Sequence, residues 1–326
     1  MGGVRGGGAG GRGGGVGGAA EGRALGAVAR TRALGLHVWG HLLGIEGERV
    51  PDGEGGGGGG GVGGGGVVLR MPAAGAPLPA VAVASLADLA LGSAVRARIG
   101  AGRRLGTTSL SVQHVDPRPR GPLVARGLAA HVDEAQGHAR CEVTDAAGGL
   151  VALATGWFFA LPVPEGRRLQ PLPWERDDAR VSAVRPEDLD ERERGAVAAA
   201  VAAEDRAAAA ATAVADELLG LRFEDAGHDR ARGELAVGLH VTNRVGHVQG
   251  GALYGVAARA AEAAAGDGLV VVDGQLQLLR PADGDVLVAE AEVLRRGRRA
   301  TFAAARLSVD GRLVAVAQLG LAAVPR

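Results

Sequence analysis

The sequence predicts an α+β protein made of two copies of one unit, a long apolar helix followed by an antiparallel meander. Three observations carry that expectation. Two Ala-rich apolar stretches, one from Ala80 to Arg98 and one from Ala252 to Ala265, have the composition of helices buried on most faces. Each is followed by four segments of period-two hydrophobicity joined by short polar turns, the pattern of antiparallel neighbours in one sheet. The two series also match in detail. Pro117 and Pro281 hold the same place in the first turn, and Gly-Gly-Leu-Val-Ala-Leu-Ala-Thr155 answers Gly-Arg-Leu-Val-Ala-Val-Ala-Gln318, which reads as an internal duplication.

The elements follow in order. Residues 1–23 are mostly Gly and form an expected disordered tail, because they offer too little apolar surface to offset the entropy of ordering. A first domain spans 24–160 and carries a Gly-rich insert at 53–66. Within it Ala24 to Leu34 can form a short helix, Leu36 to Ile45 reads as a strand, and Val67 to Met71 as another. His37 and His41 are four apart, a spacing that suits a metal only on a helix, and no third ligand is evident. Behind the Ala80 helix come strands at Thr107 to Val115, Leu123 to Val132, Ala139 to Thr144 and Leu150 to Trp157. A Pro-rich linker covers 161–185, and the second domain covers 186–326. There a helical region from Pro186 to Leu219 precedes strands at 221–223 and 233–241, then the second apolar helix. The second meander runs through Val270 to Leu279, Val286 to Leu294, Arg299 to Val309 and Arg312 to Leu321.

Composition narrows the function classes. The chain has 326 residues, enough for two cores, and its 36 basic and 36 acidic residues balance, so no global charge favours nucleic acid or an anionic membrane. Every basic residue is Arg, as GC-rich codon usage produces, and this counsels against reading much into Arg and Gly runs. Cys141 is alone, which excludes an internal disulfide and a Cys-rich metal site and fits a reducing compartment. With no signal-peptide pattern and no uninterrupted apolar run of membrane length, a cytoplasmic protein is expected.

Chemistry concentrates in two places. The loop Asn243-Arg-Val-Gly-His-Val-Gln-Gly-Gly251 leads directly into the second apolar helix, whose first amides lack intrahelical acceptors and point with the positive end of the dipole at whatever lies in front. Gly250 and Gly251 allow close approach, and an oxyanion suits that place. The second place is Asp88, a lone carboxylate among Leu86, Leu89 and Leu91 on the first helix. A carboxyl in an apolar setting acquires a raised pKa useful for proton transfer.

The loop Asn243-x-x-Gly246-x-x-Gln249-Gly250-Gly251 resembles the Asn-x-x-Gly-x-x-His-Gly-Gly signature of the small acyl-CoA thioesterases related to phenylacetyl-CoA and 4-hydroxybenzoyl-CoA thioesterases. The tail from Asp310 to Leu321 is similar to the end of the acyl-CoA thioesterase II group, itself a double hot-dog. The resemblance covers roughly residues 35 to 160 and 190 to 323. It implies a tandem (double) hot-dog, each unit a central helix wrapped by an antiparallel sheet, paired as a pseudo-dimer. It also implies a catalytic acid nine residues beyond the motif His and a Ser or Thr on the next strand. Counting from Gln249 reaches Ala258, and the strand position is Val271, so the second half lacks both. In the first half Pro79, Ala80 and Val81 replace the loop signature, yet Asp88 and Thr107 stand.

Each half keeps what the other lacks, which implies one composite acyl-CoA thioesterase site of Asp88, Thr107, Asn243, Gln249, Gly250 and Gly251 and one degenerate site. Gln249 carries no proton where the family has His. Glu262 could stand in as an acid in the second half, although with Arg259 it reads as a surface ion pair. Gln318 resembles a functional Gln of the thioesterase II group. For the CoA phosphates the candidates are Arg295, Arg296, Arg298 and Arg299 in one turn, or Arg103 and Arg104 before the Thr107 strand. No cofactor or metal is implied. The expected partner is the acyl-CoA substrate, with no nucleic acid or membrane, and the pseudo-dimer can associate further. A non-catalytic acyl-CoA-binding protein and a hydroxyacyl-thioester dehydratase are the rival readings.

Overall fold

A computed structural model describes residues 17–35, 38–49, 66–72, 76–99, 102–163, 181–243 and 245–324. Most of the Gly-rich tail, His37, nearly all of the Gly insert and the centre of the linker lie outside them. Both halves run through the same series of elements. The first has helices α1 (Gly17–Leu34) and α2 (Val38–Leu42), strands β1 (Glu46–Arg49) and β2 (Val67–Met71), central helix α3 (Ala80–Ile99), then β3 (Arg103–His114), β4 (Leu123–Val132), β5 (Gln136–Asp145) and β6 (Leu150–Pro162). The second has α4 (Glu191–Ala210), α5 (Val214–Leu219), β7 (Arg222–Gly227), β8 (Arg230–Ala236), central helix α6 (Gly250–Ala265), then β9 (Leu269–Leu278), β10 (Val286–Arg296), β11 (Thr301–Val309) and β12 (Arg312–Ala323).

The strands form one antiparallel sheet in the order β1-β2-β4-β5-β6-β3-β9-β12-β11-β10-β8-β7. The two halves join at its centre, where β3 pairs with β9 from Ser109↔Gln277 to Gln113↔Asp273. Each central helix packs on its own half of the sheet, and α3 and α6 pack on each other. Their contact is close because it is made of small residues: a Cβ on Gly251 would overlap the Ser85 backbone, and one on Gly255 would overlap Val81. These two contacts set the helices antiparallel. The side chains of Leu86, Leu91, Leu110, Leu253, Leu276 and Leu287 are fully buried around them, each contributing roughly 1.5–3 kcal/mol. The duplicated hot-dog architecture is therefore as expected, and α3, although long and apolar enough to cross a membrane, is the core helix of the first half.

The N-terminal elements depart from expectation. Helix α1 begins at Gly17, inside the stretch read as tail, and docks on α4 through ion pairs of Arg23 with Glu204 and Arg32 with Glu193. Glu193 is positioned by a capping box, in which the Asp190 side chain accepts from its N–H at 2.8 Å and its own carboxylate accepts from the Asp190 N–H at 3.0 Å. The segment read as a strand from Leu36 to Ile45 instead contains helix α2, and the strand follows at β1. Local β-propensity in Val38 and Trp39 gives way to tertiary packing. The reason is a second repeat: Val38-Trp-Gly-His-Leu-Leu-Gly44 and Val214-Ala-Asp-Glu-Leu-Leu-Gly220 are the same turn of helix, ended by glycines at φ +68° and +66°.

Candidate functional site

The site is built where the N-terminus of α6 meets the middle of α3. The loop before α6 is fixed from within. Asn243 Oδ1 accepts the N–H groups of Val245 at 3.0 Å and His247 at 3.2 Å, while its own N–H donates to His247 O at 2.7 Å. Gly246 turns the chain at φ +89°, a conformation few side chains tolerate. The Gln249 N–H then donates to Val241 O at 3.0 Å, which holds the helix start against the preceding segment.

Gln249 uses both ends of its amide. Its Oε1 caps α6 by accepting the Ala252 N–H at 2.9 Å, and its Nε2 donates across the interface to Asp88 Oδ2. Asp88 also accepts from Thr107 Oγ1 at 3.3 Å and from the Gly251 backbone. A Cβ on Gly250 would stand 2.8 Å from Asp88 Oδ2, so only glycine fits there beside the carboxylate. Thr107 reaches this position because of a bulge. Leu110 and Val112 face the core from even positions of β3, and the register shift between Thr107 and Ser109 turns an odd residue inward.

Asp88 is 6 % exposed, and burial pushes its pKa up to about 6, against the opposing hydrogen bonds of Thr107 and Gly251. A carboxyl so placed is ionised at neutral pH yet close enough to neutrality to exchange protons. Among the described residues no cluster of His, Cys, Asp and Glu could hold a metal ion. Cys141 is buried, and that burial pushes its thiol up to about 12, which leaves it unreactive.

The structure thus brings together Asp88, Thr107, Gln249, Gly250 and Gly251, drawn from both halves, while Asn243 shapes the loop that leads to them. It does not bring the arginine turn to them. Thr301 pairs with Leu321 and Leu321 with Val271, which puts Arg295, Arg296, Arg298 and Arg299 level with the C-terminal end of α6, on the order of 20 Å along the strands from its N-terminus. Arg296 is tied there to Asp229 at 2.6 Å. Arg104 is the better placed cation. It lies near enough to His247 of the motif loop to reinforce the lowering of that histidine's pKa, which burial mainly causes. Gln318 is also misplaced by the resemblance: it is exposed on the outer face of β12, where inward positions are Ala317 and Leu319.

At the matching place in the other half, the start of α3 carries Pro79, Ala80 and Val81, and α6 carries Ala258. Glu262 is not the surface residue that its ion pair with Arg259 implied. Its carboxylate is largely buried, accepts the Val271 N–H at 3.1 Å and stands 3.4 Å from Arg259 Nη1. Burial raises its pKa and that of the neighbouring Asp216.

Two residues beside the site escaped sequence reasoning. Ser85, one turn before Asp88, is buried against Gly251, and Trp39 Nε1 donates to its Oγ at 2.9 Å. The Val-x-x-x-Leu-Leu-Gly repeat is the signal that makes α2, and with it Trp39, legible.

Comparisons with known proteins bear on both halves. Residues 80–152 match the family model described as the thioesterase superfamily, and residues 240–322 match that of the acyl-CoA thioesterase N-terminal domain. No curated protein matches the chain at significant similarity. Among solved structures, a Lactobacillus plantarum protein provisionally assigned as an oleoyl thioesterase is 11% identical, with a TM-score of 0.51 over 79% of this chain and 96% of that one. A hot-dog protein of unknown function from Alicyclobacillus acidocaldarius is 10% identical, with a TM-score of 0.50 over 80% of this chain and 94% of that one. At such identities the likeness is one of fold. Each half thus carries a stretch matched by a thioesterase family model, and the chain has the double hot-dog architecture of two such units.

Proposed function

We propose that the protein hydrolyses acyl-CoA thioesters to free acid and CoA at the single composite site between its halves. One observation supports this reading above others: the only acid of the first helix is held by the loop of the second half, through Gln249 Nε2 and the Gly251 backbone. The thioester carbonyl oxygen takes the place in front of α6, where the N–H groups of Gly250 and Gly251 stabilise the developing charge by a few kcal/mol per donor. The Gly251 N–H also donates to Asp88, which ties the carboxylate to the same helix start.

Asp88, oriented by Thr107 and Gln249, removes a proton from water as the water oxygen attacks the carbonyl carbon. The carbon–sulfur bond breaks when the tetrahedral intermediate collapses, and the proton held by Asp88 passes to the departing CoA thiolate. Direct attack by the carboxylate, giving a mixed anhydride that water then opens, uses the same residues. Gln249 is a positioning residue here, fixing the acid rather than moving a proton. Arg103 and Arg104, on the side of the motif loop, meet the CoA phosphates.

A panel of acyl-CoAs with detection of free thiol tests this reading. Thiol release by the wild-type protein and its loss in Asp88→Asn are expected. Binding of acyl-CoA without thiol release would make the protein a carrier.

A further inference from the structure

The second repeat sets unlike residues at one position of the two halves. Trp39 in α2 and Ala215 in α5 each follow the first Val of the Val-x-x-x-Leu-Leu-Gly segment. Trp39 is fully buried and pinned to Ser85 by its indole N–H, and the Ser85 backbone is the surface on which Gly251 packs. The indole therefore occupies the core beside the start of α6, against a residue one turn from Asp88. A cavity of about 630 Å³ is lined by His41 and Leu42 of α2 together with Leu43, Leu78, Ala215 and Leu218, and Trp39 does not face it. That is the size of an ordinary ligand pocket. Neither this cavity nor the one on the outer sheet face is lined by Asp88, Gly250 or Gly251.

The reading of the composite site given above fixes which end of a substrate meets the indole. CoA phosphates must stay in water, so the acyl group points the other way, into the core. The indole cannot swing aside without leaving its own N–H and the buried Ser85 hydroxyl unpaired.

We propose that Trp39 sets the acyl-size limit of the composite site and confines it to short-chain acyl thioesters. The test uses a series from acetyl through butanoyl and octanoyl to decanoyl, in two forms. CoA thioesters report hydrolysis, and S-alkyl-CoA thioethers, which cannot be hydrolysed, report binding by calorimetry. The wild-type protein is expected to favour the short members in both. Trp39→Ala should raise the decanoyl-to-butanoyl ratio of kcat/KM, and the matching ratio of thioether affinities, by about tenfold or more. Trp39→Phe retains most of the bulk should Trp39→Ala fail to fold, and is expected to move the optimum by a shorter step. Ala215→Trp, which narrows the cavity that α2 and α5 line together, should leave the profile unchanged. A thioether series with the expected cut-off but no thiol release would sink the hydrolytic function and keep the size limit. A wild-type preference for decanoyl, an unchanged profile in folded Trp39 variants, or no binding of any thioether would overturn the proposal.

Discussion

The two ends of the paired central helices invite comparison, because one fold position carries hydrogen-bonded polar groups at one end and apolar packing at the other. Where α6 begins, Gln249, Gly250 and Gly251 face a carboxylate that accepts three hydrogen bonds. Where α3 begins, Pro79, Ala80 and Val81 stand in their place, and the facing position is Ala258. Val81 packs against Gly255 just as Ser85 packs against Gly251, so close contact of the helices survives at both ends while the polar groups survive at one. Tight helix packing is thus a demand of the architecture, and the acid with its donors is a separate demand. In a homodimer of identical units any such loss would appear at both sites. Covalent fusion lets each half discard a different part.

The sharpest way to break the comparison is to remove the acid. Asp88→Asn should lower thioester turnover by roughly 100-fold or more while the protein stays folded, measured as kcat/KM by thiol release. Retention of turnover would move the reaction to another carboxylate. A smaller effect is expected from Gly251→Ala. The added Cβ overlaps the Ser85 backbone and pushes the halves apart, destabilising the fold by about 1–3 kcal/mol in denaturant titration and disturbing the donor geometry.

The pH dependence sharpens the same contrast. With Asp88 at about 6, kcat/KM should rise with pH and level off above that value, since the carboxylate is the active form. Stability carries the opposite slope from this group. Its folded pKa lies above the unfolded one, so its contribution is present below about pH 4 and is lost as pH rises to about 6. The stability of Asp88→Asn relative to the parent should therefore rise by about 2–3 kcal/mol between pH 4 and pH 7. The buried His41 and His114, which desolvation holds down to about 4, work in the other direction, but they cancel in this difference. A gap that does not grow between these pH values would count against the buried, strained carboxylate.

The smallest effect belongs to the other half. Glu262→Gln keeps an acceptor for the Val271 N–H and should leave turnover within about twofold, because the residue touches no part of the composite site. A collapse of activity in this variant would reassign the working site to the C-terminal end of α6.

The sequence made some of these features legible and concealed others for physical reasons. The long central helices and their meanders were readable because period and composition agree along whole elements. Asp88 was readable as a departure from an apolar pattern, and Thr107 only through what the resemblance implies for the strand after the helix. Helix α2 was legible only by its likeness to the Val214 segment, because a five-residue helix that includes Val38 and Trp39 has β-propensity and is held by packing on α1 and α3. The inward turn of Thr107 depends on a bulge that alternation does not encode. The arginine turn looked available for phosphates because spacing says nothing of which end of a strand lies near a given helix start. Gln318 shows the same limit in the other dimension, one residue of alternation separating the core from the outer face.

Among the described residues the twelve-stranded sheet ends on two short strands, β1 and β7. Along β7 the open backbone groups are flanked by Arg222, Glu224 and Asp225, charge of both signs. A short, charged margin of this kind discourages another strand from annealing, so growth of an assembly by extending the sheet is disfavoured at that end.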